Sequence, residues 1–242
     1  MSAFRRLLGR LVRRAHASRR ADLRASAKAV LAAGVHSKEA LAAITLDRGA
    51  GPLRDHACEM LAQMRGKVAQ QTWLTMLDDP EPSWRHRALN GVAANRLAQA
   101  VPALIAILRD DPQSGVADHA ALVLGKNALR SPEAQDALLA ILLDPNATAG
   151  LRGSAAEALG AYDPFDAQVT SALIAALDDP EPEVRYYTAF GLACRKAIVA
   201  LPALERRAGI EDSEFPPYGS VRDEMLDAIA SIRHVNPGAR RA

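Results

Sequence analysis

An apolar residue followed by Arg recurs along this chain at a nearly fixed period, and no other feature constrains the fold as strongly. The six pairs are Leu23-Arg24, Leu53-Arg54, Trp84-Arg85, Leu151-Arg152, Val184-Arg185 and Val221-Arg222. A seventh copy, Val116-Ala117, lacks the Arg, and successive copies lie 30–37 residues apart. A repeat of this length in a helix-forming sequence predicts a solenoid, in which each helix pair buries its apolar face against the next pair.

Each repeat is expected to contain two helices joined by an acidic turn. In one copy, the apolar run 101–108 has Pro102 in its first turn, where proline is tolerated, and the Arg-Asp-Asp-Pro segment 109–112 is a turn signal. We expect the second helix of this copy to run from about residue 114 to residue 128. The same order recurs at 67–97, 131–160, 164–195 and 197–233.

The Asp of each turn and the Arg of the following helix are expected to form a structural ladder. Asp79 precedes Arg85 by six residues, and Asp179 precedes Arg185 by the same distance. Stacked repeats would bring these carboxylates and guanidiniums together as charge-assisted hydrogen bonds. The predicted ladder residues are Asp79, Arg85, Asp111, Asp179, Arg185, Arg54, Arg152 and Arg222.

The Leu-Asp-Asp-Pro turns, the apolar-Arg pairs and the Ala and Leu residues that follow them, as in 184–192, resemble the HEAT repeat family. The likeness is closest to the short HEAT-like repeats of bacterial proteins such as the phycobilin lyases. It implies an all-α, right-handed α-solenoid of about seven stacked helix pairs, in which the second helices line the concave face. Residues 1–20 would then be a basic amphipathic helix capping the first pair, 21–233 the solenoid, and 234–242 a basic, disordered tail.

Charge is distributed unevenly along the chain. Residues 1–24 contain eight Arg and one Asp, and the last ten residues contain three Arg and no acid, so the segment 25–232 has a net charge of −8 within a chain of +2. An acidic body between basic ends disfavours nucleic-acid binding along the solenoid. For the basic N-terminal helix, contact with an anionic surface and a role as an organellar transit segment stay open.

The two cysteines, Cys58 and Cys194, indicate the compartment. They lie four repeats apart in the sequence, and packed helices are spaced ~8–10 Å, so a disulfide between them is not expected. Two free thiols favour a reducing environment. Because the sequence also shows neither a secretory signal nor a membrane-spanning run, we expect a cytoplasmic protein.

Aligning the second helices defines surface columns directly after each apolar-Arg pair, where residue types vary strongly. Three aromatic residues, Tyr186, Tyr187 and Phe190, fall together there, and aromatic side chains are favoured anchors at protein interfaces. An alternative is that one or two of them pack sideways against a neighbouring helix. The predicted partner-binding residues are His56, His86, Arg87, Asn90, Asp118, His119, Tyr186, Tyr187, Phe190 and Glu224.

Signals for catalysis are weak. The Asp55-His56 and Asp118-His119 pairs are two repeats apart, which is too far to share a metal ion. DNA glycosylases use aromatic residues in a basic groove, whereas Trp84 is expected at a core position of its helix. The segment 209–220 breaks the period and is either a binding element or a lid over the last pair. No catalytic residue, metal or cofactor is predicted.

The resemblance implies a non-catalytic protein-binding adaptor, scaffold or inhibitor that uses the concave face of the solenoid. The second interpretation is a lyase-like or chaperone-like helper that holds a partner protein during its modification. Nucleic-acid binding is the third, and the acidic body disfavours it.

Overall fold

The computed structural model describes residues 38–110, 115–126 and 129–235, and these form twelve α-helices in six consecutive pairs. The helices are α1 Lys38–Leu46, α2 Pro52–Ala62, α3 Lys67–Met76, α4 Pro82–Asn95, α5 Val101–Asp110, α6 Val116–Leu124, α7 Pro132–Leu142, α8 Ala149–Leu159, α9 Ala167–Ala176, α10 Pro182–Arg195, α11 Leu201–Ala208 and α12 Val221–Val235. The predicted all-α fold of stacked helix pairs is confirmed. The predicted cap at 1–20 and the first helix pair lie outside the described residues.

Local sequence signals place the helix ends. Proline occupies the first turn of α2, α7, α10 and α11, where its missing amide hydrogen has no partner to lose. The side chains of Ser131, Thr148 and Asp166 accept hydrogen bonds from the first backbone amides of α7, α8 and α9. α12 includes His234 and Val235, which were expected to belong to the C-terminal tail.

The chain divides into two compact units, one ending at Asn95 and the other beginning at Arg96. The first unit contains the pairs α1/α2 and α3/α4, and α1 also packs against α3. In the second unit, the helices α6, α8, α10 and α12 pack successively in one layer, and α5, α7 and α9 pack in the other. α8 is buried over most of its surface because α6 and α10 cover it from both sides.

Small residues bring the second helices of this unit very close together. A Cβ on Gly160 would lie 2.6 Å from the Cα of Gly191, and a Cβ on Gly191 would lie 2.6 Å from the backbone oxygen of Ala156. No side chain fits at either position without moving backbone. These glycines therefore set the spacing between α8 and α10.

The segment that breaks the period forms a small hairpin between α11 and α12. Strands β1 Glu214–Phe215 and β2 Gly219–Ser220 pair antiparallel, with Phe215 opposite Gly219. β1 packs against α10. In the part of the chain that the structure describes, no helix has both the length and the apolar character needed to cross a membrane.

Candidate functional site

In the first unit, the ladder residues form a buried ion pair between consecutive repeats. Nη2 of Arg54 lies 2.5 Å from Oδ2 of Asp79, and its Nε donates to the backbone oxygen of Thr45 at 2.8 Å. Burial opposes ionisation of Asp79, but the hydrogen bond from Arg54 lowers the pKa of this carboxyl. Arg85 donates to the backbone oxygen of Asp79 at 2.7 Å and so holds the turn against its own helix.

The second unit repeats this arrangement. Arg152 donates to both carboxylate oxygens of Asp179, at 3.0 and 2.9 Å, and Arg185 donates to the backbone oxygen of Asp179 at 2.8 Å. In both units the Arg of one helix pair contacts the Asp in the turn of the next pair. Arg54, Asp79, Arg152 and Arg185 are buried and Asp179 is nearly so, so these side chains connect repeats and do not face a partner.

Two ladder residues differ from expectation, and a third is not described. The carboxylate that pairs with Arg185 is Glu211, whose oxygens lie 2.7 and 3.0 Å from Nε and Nη2. Glu211 belongs to the insertion and has no register position, so the repeat pattern does not predict this pair. Arg222 is exposed, since no repeat turn follows α12 in the described residues to supply an acid. Asp111 lies outside the described residues.

Arg87 has a structural contact in the first unit. Its Nη2 lies 2.7 Å from Oδ1 of Asp55. Its Cζ lies 5.0 Å from the ring centroid of Trp84, and the Cζ of Arg54 lies 3.9 Å from the same centroid, so both guanidiniums form cation–π contacts with this ring. His56 lies 3.7 Å from Glu59, as an ion pair when the imidazole is protonated. His86 is half-buried and Asn90 is exposed.

The second unit brings four aromatic rings together into what we call the aromatic cluster: Tyr186 and Tyr187 of α10, and Phe215 and Tyr218 of the hairpin. The centroid of Tyr186 lies 5.5 Å from that of Tyr187 and 5.5 Å from that of Phe215, and Phe215 stacks on Tyr218 at 5.1 Å. The two tyrosines of α10 are therefore half-buried under the hairpin rather than free on the helix surface. Phe215 and Tyr218 belong to the insertion, and the repeat register did not predict that they would lie beside the tyrosines of α10.

One side of the aromatic cluster remains open. Tyr218 is 58% exposed, and Phe190, one turn along α10 from Tyr186, is 40% exposed. Burial and the neighbouring Glu224 raise the pKa of Tyr186 to about 12, so its hydroxyl stays protonated at neutral pH.

Carboxylates surround this cluster. A Cβ built on Gly150 of α8 would lie 3.1 Å from Oδ2 of Asp118 and 3.7 Å from Oε1 of Glu183. Because Gly150 has no side chain, the carboxylates of Asp118 on α6 and Glu183 on α10 approach each other across α8 at this position. Burial and the charges of Asp118 and Glu181 raise the pKa of Glu183. His119, next to Asp118 on α6, is half-buried.

The two thiols lie in different environments. Cys58 is buried, and burial raises its pKa; Cys194 is exposed on α10. Among the described residues, no group of three or more His, Cys, Asp or Glu side chains is arranged to hold a metal ion.

Comparisons with known proteins agree with the fold. A sequence-family model described as HEAT repeats matches residues 38–125 and 70–160. The chain is similar to the crystal structure of an engineered protein, at 16% identity and a TM-score of 0.52, over 81% of this chain and 96% of that chain. A second engineered protein matches at 17% identity and a TM-score of 0.49, over 88% of this chain and 62% of that chain. Human deoxyhypusine hydroxylase in complex with glycerol matches at 17% identity and a TM-score of 0.34, over 81% of this chain and 96% of that chain. No curated protein matched the chain.

Proposed function

Because this chain belongs to the HEAT repeat family, whose repeats generally bind proteins, we propose that it is a non-catalytic adaptor, scaffold or inhibitor. Its partner protein binds the second-helix face, by which we mean the outer surface of α6, α8, α10 and α12 together with the hairpin. The observation that carries the proposal is the aromatic cluster with its open side.

Aromatic rings held in this way suit a binding surface. Tyrosine and phenylalanine bury large areas with few rotatable bonds, and they are enriched among the residues that dominate interface energies. Here the rings of Tyr186 and Tyr187 pack against the more exposed ring of Tyr218, at centroid distances of 5.7 and 6.1 Å. A partner would therefore meet rings whose positions are already fixed, which lowers the entropy lost on binding.

The proposal is tested by purifying the protein with its partners from the native host and identifying them by mass spectrometry. The test variant combines Phe190→Ser with Tyr218→Ser. The matched control is Phe165→Ser, which removes a 91% exposed ring from the loop between α8 and α9. We expect the wild type and the control to retain the same partner and the test variant to lose it while remaining folded, as checked by circular dichroism.

Two results would contradict the proposal. If the test variant keeps the partner, the second-helix face is not the binding surface. If the control loses the partner as completely as the test variant does, the interaction is a general effect of exposed apolar rings.

A further inference from the structure

Acidic side chains predominate on the second-helix face. Its carboxylates, among the described residues, are those of Asp118, Glu157, Glu183, Glu214, Asp223, Glu224 and Asp227. The Lys and Arg side chains of these helices and their ends that are not buried are Lys126, Lys196, Arg222 and Arg233, and Arg233 pairs with Glu205. Burial raises the pKa of Glu157, and the charge of Lys126 opposes this shift. The acids therefore exceed the cations in number.

The arginines of α8 and α10 do not balance these charges, because all of them point inward. Arg152 pairs with Asp179 and Arg185 with Glu211. Arg195 is buried and donates to Thr170 and to the backbone oxygens of Leu159, Asp163 and Asp166. The two central helices of the face thus present carboxylates outward and keep their guanidiniums in the core.

The carboxylates form one continuous surface with the rings. Glu183 reaches across Gly150 and Gly153 of α8, where Tyr187 also packs. Burial raises the pKa of Cys194 on α10, and the charges of Glu157 on α8 and Glu224 on α12 raise it further, which places acids on both sides of α10. A cation above this surface would find carboxylate acceptors and aromatic faces at the same place.

We infer that the segment bound on the second-helix face is basic, a stretch of another protein rich in Arg and Lys. Guanidinium and ammonium groups form charge-assisted hydrogen bonds with carboxylates and favourable contacts with aromatic faces. Charge complementarity of this kind favours basic partners over acidic ones and accelerates association. The inference rests on the proposed function, since it specifies the chemistry of that partner.

The experiment measures binding of fluorescein-labelled octa-arginine to the full chain by fluorescence anisotropy, with octa-glutamate as the peptide control. The test variant combines Glu183→Gln with Asp227→Asn. The matched control combines Glu133→Gln with Asp136→Asn, which removes the same charge from the exposed surface of α7 in the other layer. We expect the test variant to weaken octa-arginine binding about tenfold and the control to leave it within about twofold.

The inference is overturned if octa-arginine shows no saturable binding, if octa-glutamate binds as well, or if both variants weaken binding equally. It is also overturned if the occupant is the Arg-rich N-terminus of a second copy, seen as self-association that the test variant abolishes in analytical ultracentrifugation. If the native partner depends on Phe190 and Tyr218 but is not displaced by octa-arginine, the inference fails while the proposed function stands. If binding of the native partner does not depend on Phe190 and Tyr218, the proposed function itself fails.

Discussion

At the scale of single residues, buried guanidiniums connect this molecule internally, and each has a different set of acceptors. Arg152 has a carboxylate from the next repeat, whereas Arg195 donates to four neutral oxygen acceptors and has no carboxylate within hydrogen-bond distance. Arg185 depends on Glu211, which also accepts from Arg207 at 2.9 Å and from the backbone amide of Ser213. Glu211 is therefore the charged residue that attaches the insertion to the repeats, beside the aromatic contacts of Phe215 and Tyr218.

Replacing Glu211 with Gln should destabilise the protein in a pH-dependent manner. Burial opposes ionisation, but Arg185 outweighs it and lowers the pKa of Glu211 from 4.5 to about 2. A lowered folded-state pKa contributes stability above the unfolded pKa, and this stability is lost as the pH falls from 4.5 towards 2. Urea unfolding should show Glu211→Gln less stable by about 2–4 kcal/mol at neutral pH, with the difference shrinking below that range. A difference that stays constant with pH would contradict this account.

At the scale of helices, the closest packing occurs where the sequence has glycine in place of a side chain. Gly160 and Gly191 face each other between α8 and α10, and Gly91 lies against the Trp73 ring between α3 and α4. Glycine normally weakens a helix, by about 1 kcal/mol relative to alanine. Here it permits an approach that any larger residue would prevent, so packing outweighs helix propensity.

Gly191→Ala should therefore destabilise the protein although alanine is the better helix former. The new methyl group would lie 2.6 Å from the backbone oxygen of Ala156, and the expected loss is about 1–3 kcal/mol in the free energy of unfolding. The matched control is Gly209→Ala at the end of α11, where the backbone is right-handed helical and the nearest atom is 3.4 Å away. Thermal unfolding should separate the two variants. Equal melting temperatures would show that α8 and α10 can move apart without cost.

At the scale of the whole molecule, the chain forms two compact units. Each unit contains its own pair between a buried Arg and the Asp of a following turn, Arg54 with Asp79 and Arg152 with Asp179. In repeat proteins, stability is carried by interactions within repeats and between neighbours. Damage to one pair should therefore be felt mainly in its own unit.

Amide hydrogen exchange tests whether the loss of one Arg–Asp pair destabilises only its own unit. Arg54→Ala leaves Asp79 buried without its guanidinium, and loss of one partner of a buried pair costs about 3–5 kcal/mol. We expect faster amide exchange in α2, α3 and α4 and unchanged exchange in α8, α9 and α10. Arg152→Ala is the reciprocal control and should give the opposite pattern. Equal acceleration throughout the chain would mean that the two units unfold as one.

The sequence by itself determined the helix pairs and their order, because the signals that specify them are local. Prolines at helix starts, acidic turns and the period of the apolar-Arg pairs each act within one repeat. They predicted where the pairs from α3/α4 to α11/α12 lie, although α6 is shorter than the expected 114–128 and α12 continues past residue 233. The turn before α4, residues 77–82, recurs one hundred residues later before α10. Arg96 and Lys196, which follow the ends of these two helices, both have a positive φ of 55°.

Only the tertiary structure decided which side chains meet. Glu211, Phe215 and Tyr218 belong to an insertion outside the repeat, so no register predicts that they contact Arg185, Tyr186 and Tyr187 on α10. Arg87, predicted as a partner-binding residue, forms an ion pair with Asp55, 32 residues earlier. Such contacts depend on how far neighbouring helices approach and on the path a loop takes over them. The periodic apolar-Arg pair therefore defines the scaffold, while the surface proposed to bind a partner arises where the period is broken.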